Sequence, residues 1–193
     1  MFKIFKPYML LLLTSSFAYG QDWPELGRYF ENNKKYAQSS DNENRVVFMG
    51  NSITEGWSTI LPEFFKGKSY INRGISGQTT PQMLIRFRPD VIDLNPKVVV
   101  ILAGINDIAE NTGPSTVKMI SDNIISMADL AKINGINVII SSILPAKSFP
   151  WNPGINPPPK ISAVNKIIEQ YAKENGMIYL HYDIPIKHNN KLT

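Results

Sequence analysis

Short apolar runs rich in β-branched residues alternate along the chain with longer segments whose apolar residues recur every three or four positions. Continuous apolar runs are typical of strands buried on both faces of a parallel sheet, and the longer period is typical of helices packed on such a sheet. The pattern predicts five strands, at 45–50, 69–73, 97–103, 136–143 and 177–182. The predicted fold class is therefore α/β, with a doubly wound parallel five-stranded sheet in three α/β/α layers.

The same pattern predicts five helices, at about 24–37, just after Ser52, and at about 79–93, 114–134 and 158–175. Pro24 and Pro114 stand where the first turn of a helix tolerates proline, and Gly135 and Gly176 stand where a helix ends. In the helix predicted from Pro114, apolar residues form one stripe that indicates core packing and needs no cofactor to explain it. The stripe consists of Val117, Ile120, Ile124, Met127 and Ala131.

The N-terminal segment differs from the rest of the chain. Lys3 and Lys6 precede a short apolar stretch from Tyr8 to Phe17, and Ala18-Tyr19-Gly20 supplies small residues for a cleavage site. The apolar stretch is too short to span a bilayer. We expect residues 1–20 to be a secretory signal peptide and residues 21–193 to form one secreted or periplasmic domain without membrane attachment. An amphipathic N-terminal helix is the alternative.

Charge and cysteine content exclude several function classes. The formal net charge of +4 falls to +2 once Lys3 and Lys6 are removed with the leader, and the remaining basic residues are scattered, so nucleic acid is not an indicated partner. The chain has no Cys. Disulfides, thiol catalysis and Cys metal sites are thereby excluded, and an exported domain must be held together by its core.

Three predicted strands run directly into segments that carry reactive or polar residues: Gly50-Asn51-Ser52, Ile75-Ser76-Gly77-Gln78-Thr79 and Gly104-Ile105-Asn106-Asp107. A doubly wound sheet binds ligands outside the carboxyl ends of its strands, which is where all three segments lie. A serine at a sharp turn from strand into helix exposes its hydroxyl, and the helix N-terminus favours developing negative charge. Ser52 is therefore the candidate nucleophile. Because Ser52 and Glu55 also fit a capping box, a helix cap is the alternative role for Ser52.

These segments resemble three of the four blocks of the SGNH (GDSL) hydrolases, named for Ser, Gly, Asn and His, and most closely those of bacterial secreted esterases of the carbohydrate-acetylesterase and platelet-activating-factor-acetylhydrolase-like group. The resemblance implies a flavodoxin-like fold. It also implies an oxyanion hole formed by the backbone N–H groups of Ser52 and Gly77 and by the side-chain N–H of Asn106. A glycine without a side chain lets substrate approach its N–H closely. Turn roles are the alternatives for Gly77 and Asn106.

Neighbouring residues in these blocks receive supporting roles. Asn51 stands where the family usually has Asp, and we expect it to tune the site without changing the reaction. Asp107 is expected to cap a helix or fix a loop, and Gly74 is expected to be an ordinary turn glycine.

The fourth block, an Asp-x-x-His that would activate the serine, is not found before Thr193. His181 falls inside the last predicted strand, so a core or strand-end role is expected for it. Asp183 and His188 lack the spacing of the block, and His188 is at most a weak candidate base. The resemblance implies a downstream His and Asp followed by a final helix, so the chain is expected to be a fragment of the domain.

A long proline-stiffened segment from Leu144 to Pro159 lies at the same sheet edge and is expected to form a wall of the site. Trp151 within it is expected either to offer a flat face to a sugar or to pin the loop to the core. The predicted function is a serine esterase that removes small acyl groups, with acetyl favoured, from a carbohydrate or other small-molecule ester. No metal or organic cofactor is implied. The alternatives are a non-catalytic ligand-binding protein on the same fold, or a lysophospholipase or thioesterase of the same superfamily.

Overall fold

The computed structural model describes residues 22–38 and 44–182. Within these residues, five strands and seven α-helices follow one another in the order α1 (Phe30–Ala37), β1 (Val46–Gly50), α2 (Ser52–Ile60), α3 (Pro62–Phe65), β2 (Tyr70–Gly74), α4 (Thr80–Asp90), β3 (Val98–Leu102), α5 (Ile105–Ile108), α6 (Val117–Ile133), β4 (Asn137–Ser141), α7 (Pro157–Glu174) and β5 (Ile178–Leu180). A 3-10 turn over Ile92–Leu94 follows α4. None of the described helices is long and apolar enough to cross a membrane.

The strands form one parallel sheet in the order β2-β1-β3-β4-β5. This is the doubly wound flavodoxin-like order, which confirms the predicted fold class. Phe48 on β1 meets the aromatic rings of α2 and α3 on one face of the sheet. Val47 and Met49 point to the other face and join the main core, where α4, α6 and α7 pack side by side. The sheet is therefore the middle of three layers.

Helix starts are where the sequence prediction was wrong. The segment after Pro24 forms turns, and α1 begins only at Phe30. The next long helix begins at Val117 instead of Pro114, because the Thr116 hydroxyl accepts a hydrogen bond from Met119 N at 3.1 Å and caps it there. The triple proline opens α7 as predicted, within one residue.

Helix ends and the core stripe follow the prediction. Gly135 and Gly176 have positive φ angles of 73° and 67° just after α6 and α7, a conformation that ends helices and favours glycine. The predicted stripe on α6 faces the core, with Val117 partly buried and the other four members fully buried. The last strand is shorter than predicted and stops at Leu180.

Gly74 is not a turn glycine, contrary to expectation. It is the last residue of β2, and it has no positive φ. A Cβ at this position would overlap the backbone of Glu55 in the first turn of α2. Glycine is required there because α2 crosses the end of β2 with its backbone in direct contact.

Asp107 ties the loop after β3 to the start of α4. Its carboxylate accepts hydrogen bonds from Thr80 N at 3.0 and 2.9 Å and from Thr80 Oγ1 at 2.6 Å. This confirms the expected role in capping a helix. Burial raises the pKa of Asp107 to about 6, and the hydrogen bonds from Thr80 offset that rise only in part.

The free energy of unfolding should therefore carry a pH dependence from Asp107. With a folded pKa of about 6 against an ordinary 3.8, the folded state binds this proton more tightly, so its contribution to stability is full at low pH and is lost as pH rises towards 6. Asp107→Asn cannot titrate. Between pH 4 and pH 7 we expect the wild type to lose roughly 2–3 kcal/mol relative to this variant in urea unfolding. A relative stability that rises with pH would show that the Thr80 hydrogen bonds outweigh burial.

Candidate active site

Three loops meet at the carboxyl edge of the sheet. The register pairs Gly50 of β1 with both Gly74 of β2 and Leu102 of β3, so the three strands end at one level. The loop after β2 contacts its neighbour directly, since Ile75 N donates to Gly50 O at 3.1 Å and Ser76 N donates to Glu55 Oε2 at 2.9 Å. The sequence blocks that were widely separated along the chain are thus brought together.

Ser52 is the first residue of α2, and its side chain is exposed. Within the described residues, neither its Oγ nor its backbone N–H has a hydrogen-bond partner. The capping alternative for Ser52 is wrong, because Asn51 is the N-cap and its Oδ1 accepts from Ile53 N at 3.0 Å. The helix therefore begins one residue earlier than that alternative required, which leaves the serine hydroxyl available for chemistry.

Asn51 has a structural role that sequence reasoning missed. Its buried side chain caps α2, and Gly50 before it has no room for a Cβ against Thr54 and Leu102. Both Asn and Ser are good caps, so propensity alone could not choose between adjacent positions. The tight packing at Gly50 decides the choice by fixing where the strand ends.

Gly77 is exposed in the loop after β2 with a φ of 77°. Open space surrounds the position of a Cβ, so backbone conformation and not crowding within the protein demands glycine. Its N–H makes no hydrogen bond to any described residue. Its carbonyl accepts from Asn111 Nδ2 at 3.2 Å. Among the described residues, the N–H proposed as an oxyanion donor is therefore unoccupied, while the carbonyl of the next peptide group is held by Asn111.

Asn106 lies in the first turn of α5 and is buried. Its Nδ2 donates to Gln78 O at 2.9 Å, across to the loop that contains Gly77. The expected alternative, a local turn contact, is not what the amide makes. Since an amide NH₂ carries two hydrogens, one remains for another acceptor. Asn106 thus links the second and third sequence blocks.

Arg86 is a further residue at the site that the sequence did not reveal, and it holds Gln78 of the second sequence block. The fully buried Arg86 guanidinium on α4 donates to Gln78 Oε1 at 2.6 Å behind the Gly77 loop. Desolvation lowers the pKa of Arg86, opposed by the nearby Asp90 carboxylate. Helix α4 contains two arginines, Arg86 and Arg88, and the residues around them in the sequence do not indicate which one is buried. Only the fold identifies Arg86 as the buried one.

The segment 144–159 after β4 is the one expected to form a wall of the site. Phe149 is buried and anchors it, whereas Trp151 is 66% exposed with its ring 5.3 Å from that of Phe149. The alternative that Trp151 pins the loop to the core is therefore wrong, and Phe149 does so. A cavity of about 480 Å³ opens between this segment and α7, and its lining combines apolar side chains with polar and charged ones.

None of the described residues is assigned as the general base that would activate Ser52. His181 follows β5 at the strand end, exposed, with Nε2 3.7 Å from Glu169 Oε1 and its ring edge-on to Tyr179. The strand-end role is confirmed. Asp183 and His188 lie outside the described residues. No cluster of three or more His, Asp or Glu side chains suited to a metal ion occurs within 22–38 and 44–182.

Comparison with known proteins places this geometry in context. The model of the GDSL-like lipase/acylhydrolase family matches residues 48–191. The crystal structure of a GDSL-like lipase from Bacteroides thetaiotaomicron is 52% identical, covers 84% of this chain and 80% of that one, and superposes with a TM-score of 0.81. An acetylxylan esterase from Geobacillus stearothermophilus has the same fold, with 17% identity, a TM-score of 0.60 and coverage of 79% and 82%.

Among curated proteins, an arylesterase from Vibrio mimicus is 30% identical over 118 residues, which are 54% of this chain and 57% of that protein. The chain spans about half the length of the curated relatives it matches. The family match covers most of the chain and includes the Ser52, Gly77 and Asn106 segments. The chain therefore belongs to the GDSL-like lipase/acylhydrolase family, a family of hydrolases.

Proposed function

We propose that this protein is a serine esterase that removes small acyl groups, preferably acetyl, from carbohydrate or related esters, with Ser52 as nucleophile. The observation that carries the proposal is the exposed Ser52 hydroxyl, without a hydrogen-bond partner among the described residues, at a helix N-terminus beside a loop tied to Asn106. Family membership supports the hydrolase class. We further propose that residues 1–20 direct export as a signal peptide and that residues 21–193 form the hydrolase domain.

The proposed reaction proceeds in two acyl-transfer steps. Ser52 Oγ bonds to the ester carbonyl carbon while its proton passes to a general base, and the carbonyl π electrons move onto oxygen. That oxyanion accepts hydrogen bonds from Ser52 N, Gly77 N and Asn106 Nδ2. Collapse of the intermediate expels the alcohol, which takes the proton from the base. Water then attacks the acyl-enzyme in the same way, releasing the carboxylic acid and regenerating Ser52.

The base is proposed to be a histidine outside the described residues, oriented by an aspartate, as the family resemblance implies. Acetyl is preferred over longer acyl groups on the same resemblance, and the Geobacillus acetylxylan esterase provides an example of that chemistry on this fold. A panel of acetyl, butyryl and octanoyl aryl esters tests the acyl preference. Highest kcat/KM on octanoyl ester would favour the lysophospholipase or thioesterase alternative.

Ser52→Ala should abolish hydrolysis of an aryl acetate by the full-length protein. The change removes the nucleophile, while Asn51 still caps α2, so the free energy of unfolding should change by less than about 1 kcal/mol. Ser58→Ala, on the same helix with an exposed side chain, is the matched control and should keep wild-type turnover. Retention of more than a few per cent of activity in Ser52→Ala, or no hydrolysis by the wild type, would contradict the proposal.

Asn106→Ala should lower kcat by roughly a hundred- to a thousandfold with little change in KM, because an oxyanion donor acts on the transition state. Asn111→Ala is the control, since Asn111 also holds the Gly77 loop but offers nothing to the oxyanion. Its kcat should fall by less than about threefold. Equal losses in the two variants would mean that Asn106 only tethers the loop.

Trp151→Ala should raise KM for an acetylated oligosaccharide several-fold and leave aryl acetate hydrolysis unchanged. The exposed indole offers a flat apolar face against which a sugar ring can pack, a contact that a small aryl ester does not need. Because Phe149 anchors the loop, the melting temperature should stay within a few degrees of wild type. Equal loss on both substrates would remove the sugar-binding role.

A further inference from the structure

One guanidinium group connects the turn that carries Ser52 with the loop that carries Gly77. Arg86, fully buried in the second turn of α4, donates from Nη2 to Gly50 O at 3.1 Å and from Nε to Gln78 Oε1 at 2.6 Å. Gly50 immediately precedes the Asn51-Ser52 turn, and Gln78 immediately follows Gly77. Each hydrogen bond therefore ends on a residue within two positions of a proposed catalytic group.

The remaining donors of Arg86 complete its environment. Nη2 also donates to Arg73 O at 2.9 Å, and Nη1 donates to Asp90 Oδ2 at 2.7 Å. Asp90 balances the charge and accepts from Asn33 Nδ2 through its other oxygen at 2.6 Å. A guanidinium is planar and carries its donors at fixed angles, so contacts made from one such group fix the positions of the acceptors relative to each other.

Gln78 connects Arg86 to the Gly77 loop. Its side chain is held by Arg86 on one side and donates to Pro24 O at 2.8 Å on the other, while its backbone carbonyl is held by Asn106. Gln78, the residue that follows Gly77, is therefore held by both its side chain and its backbone carbonyl, which restricts the end of the Gly77 loop. A buried ion pair adds little net stability over apolar residues of the same size, so stability alone does not account for a charge at this place.

We propose that Arg86 is a positioning residue for ester hydrolysis, which sets the Ser52 turn and the Gly77 N–H at the correct separation through Gly50 and Gln78. It touches no substrate and acts only through these two neighbours. The inference rests on the proposed function of Ser52, Gly77 and Asn106. Small displacements of catalytic groups have large effects on rate, so loosening this connection should lower kcat far more than it alters substrate binding.

Arg73 provides a matched control within the same polar network. It is also buried, and its guanidinium donates to Asn33 Oδ1, Asn32 Oδ1 and Asn72 O at 2.7 to 3.0 Å. These contacts connect β2 with α1, away from the Ser52 turn and the Gly77 loop. Arg73→Lys therefore disturbs a buried arginine of the same kind but keeps the backbone carbonyl that accepts from Arg86. The side chain of Arg73 reaches Asp90 through Asn33 and makes no hydrogen bond to Gly50 or Gln78 among the described residues.

The experiment compares Arg86→Lys with Arg73→Lys in the full-length protein. Kinetics on an aryl acetate, urea unfolding and amide hydrogen exchange across residues 75–78 are measured for both variants and for the wild type. For Arg86→Lys we expect kcat to fall roughly 10- to 100-fold with KM within about threefold, and exchange in the loop to rise about tenfold. For Arg73→Lys we expect unfolding to be affected while kcat and loop exchange stay near wild type.

If Arg86→Lys fails to fold, the charge-balanced double variant R86M/D90N replaces it, since it removes both members of the buried ion pair together. The same kcat loss is expected from it. An active, Ser52-dependent wild type whose Arg86 variants keep kcat within twofold and leave loop exchange unchanged overturns this inference alone. Equal kcat losses from Arg73→Lys and Arg86→Lys also overturn it. A wild type without Ser52-dependent hydrolysis overturns the proposed function and this inference with it.

Discussion

The close contact between the ends of β1 and β2 and the first turn of α2 is the constraint on which the catalytic edge depends. Neither Gly50 nor Gly74 has space for a side chain, because Thr54 and the backbone of Glu55 lie against them. The helix can therefore begin directly behind the strand end, capped by Asn51. This packing turns Ser52 outward at the helix N-terminus and keeps the Gly77 loop within hydrogen-bonding distance of the same turn.

Three charged residues are buried behind this edge, which is unusual for the core of a small domain. They are Arg73, Arg86 and Asp90. Buried charges are costly unless they are paired and hydrogen-bonded. Here the Arg86 guanidinium donates to Gly50 O and Arg73 O at the ends of β1 and β2, and its charge is balanced by Asp90. The carboxyl edge of the sheet is thus held by directional hydrogen bonds.

The fold could be predicted largely from the sequence because the apolar runs and helical stripes are long and follow different periods. All five strands were located to within two residues at each end, and the stripe on α6 faces the core as expected. Prediction failed where several residues compete for one local role. Thr116 rather than Pro114 starts α6, and Asn51 rather than Ser52 caps α2, since such choices depend on packing across the sheet.

The candidate site could be predicted only in part from the sequence, for the same reason. Short motifs located Ser52, Gly77 and Asn106, whereas the contact from Asn106 to Gln78 O and the burial of Arg86 join segments far apart in sequence. A helical arginine with mixed neighbours carries no signal of its burial. Residues that position catalytic groups are in general invisible to motif reasoning, because they act through backbone atoms that any sequence supplies.

The central claim is that the Ser52 hydroxyl and three N–H donors serve one reacting carbonyl. The most direct test is a crystal structure of the full-length protein after reaction with a small alkyl phosphonofluoridate, whose tetrahedral adduct mimics the acyl-transfer intermediate. The expected result is phosphorus bonded to Ser52 Oγ, with the phosphonyl oxygen about 2.7–3.1 Å from Ser52 N, Gly77 N and Asn106 Nδ2. An adduct on a different residue, or a phosphonyl oxygen directed away from Gly77 and Asn106, would contradict it.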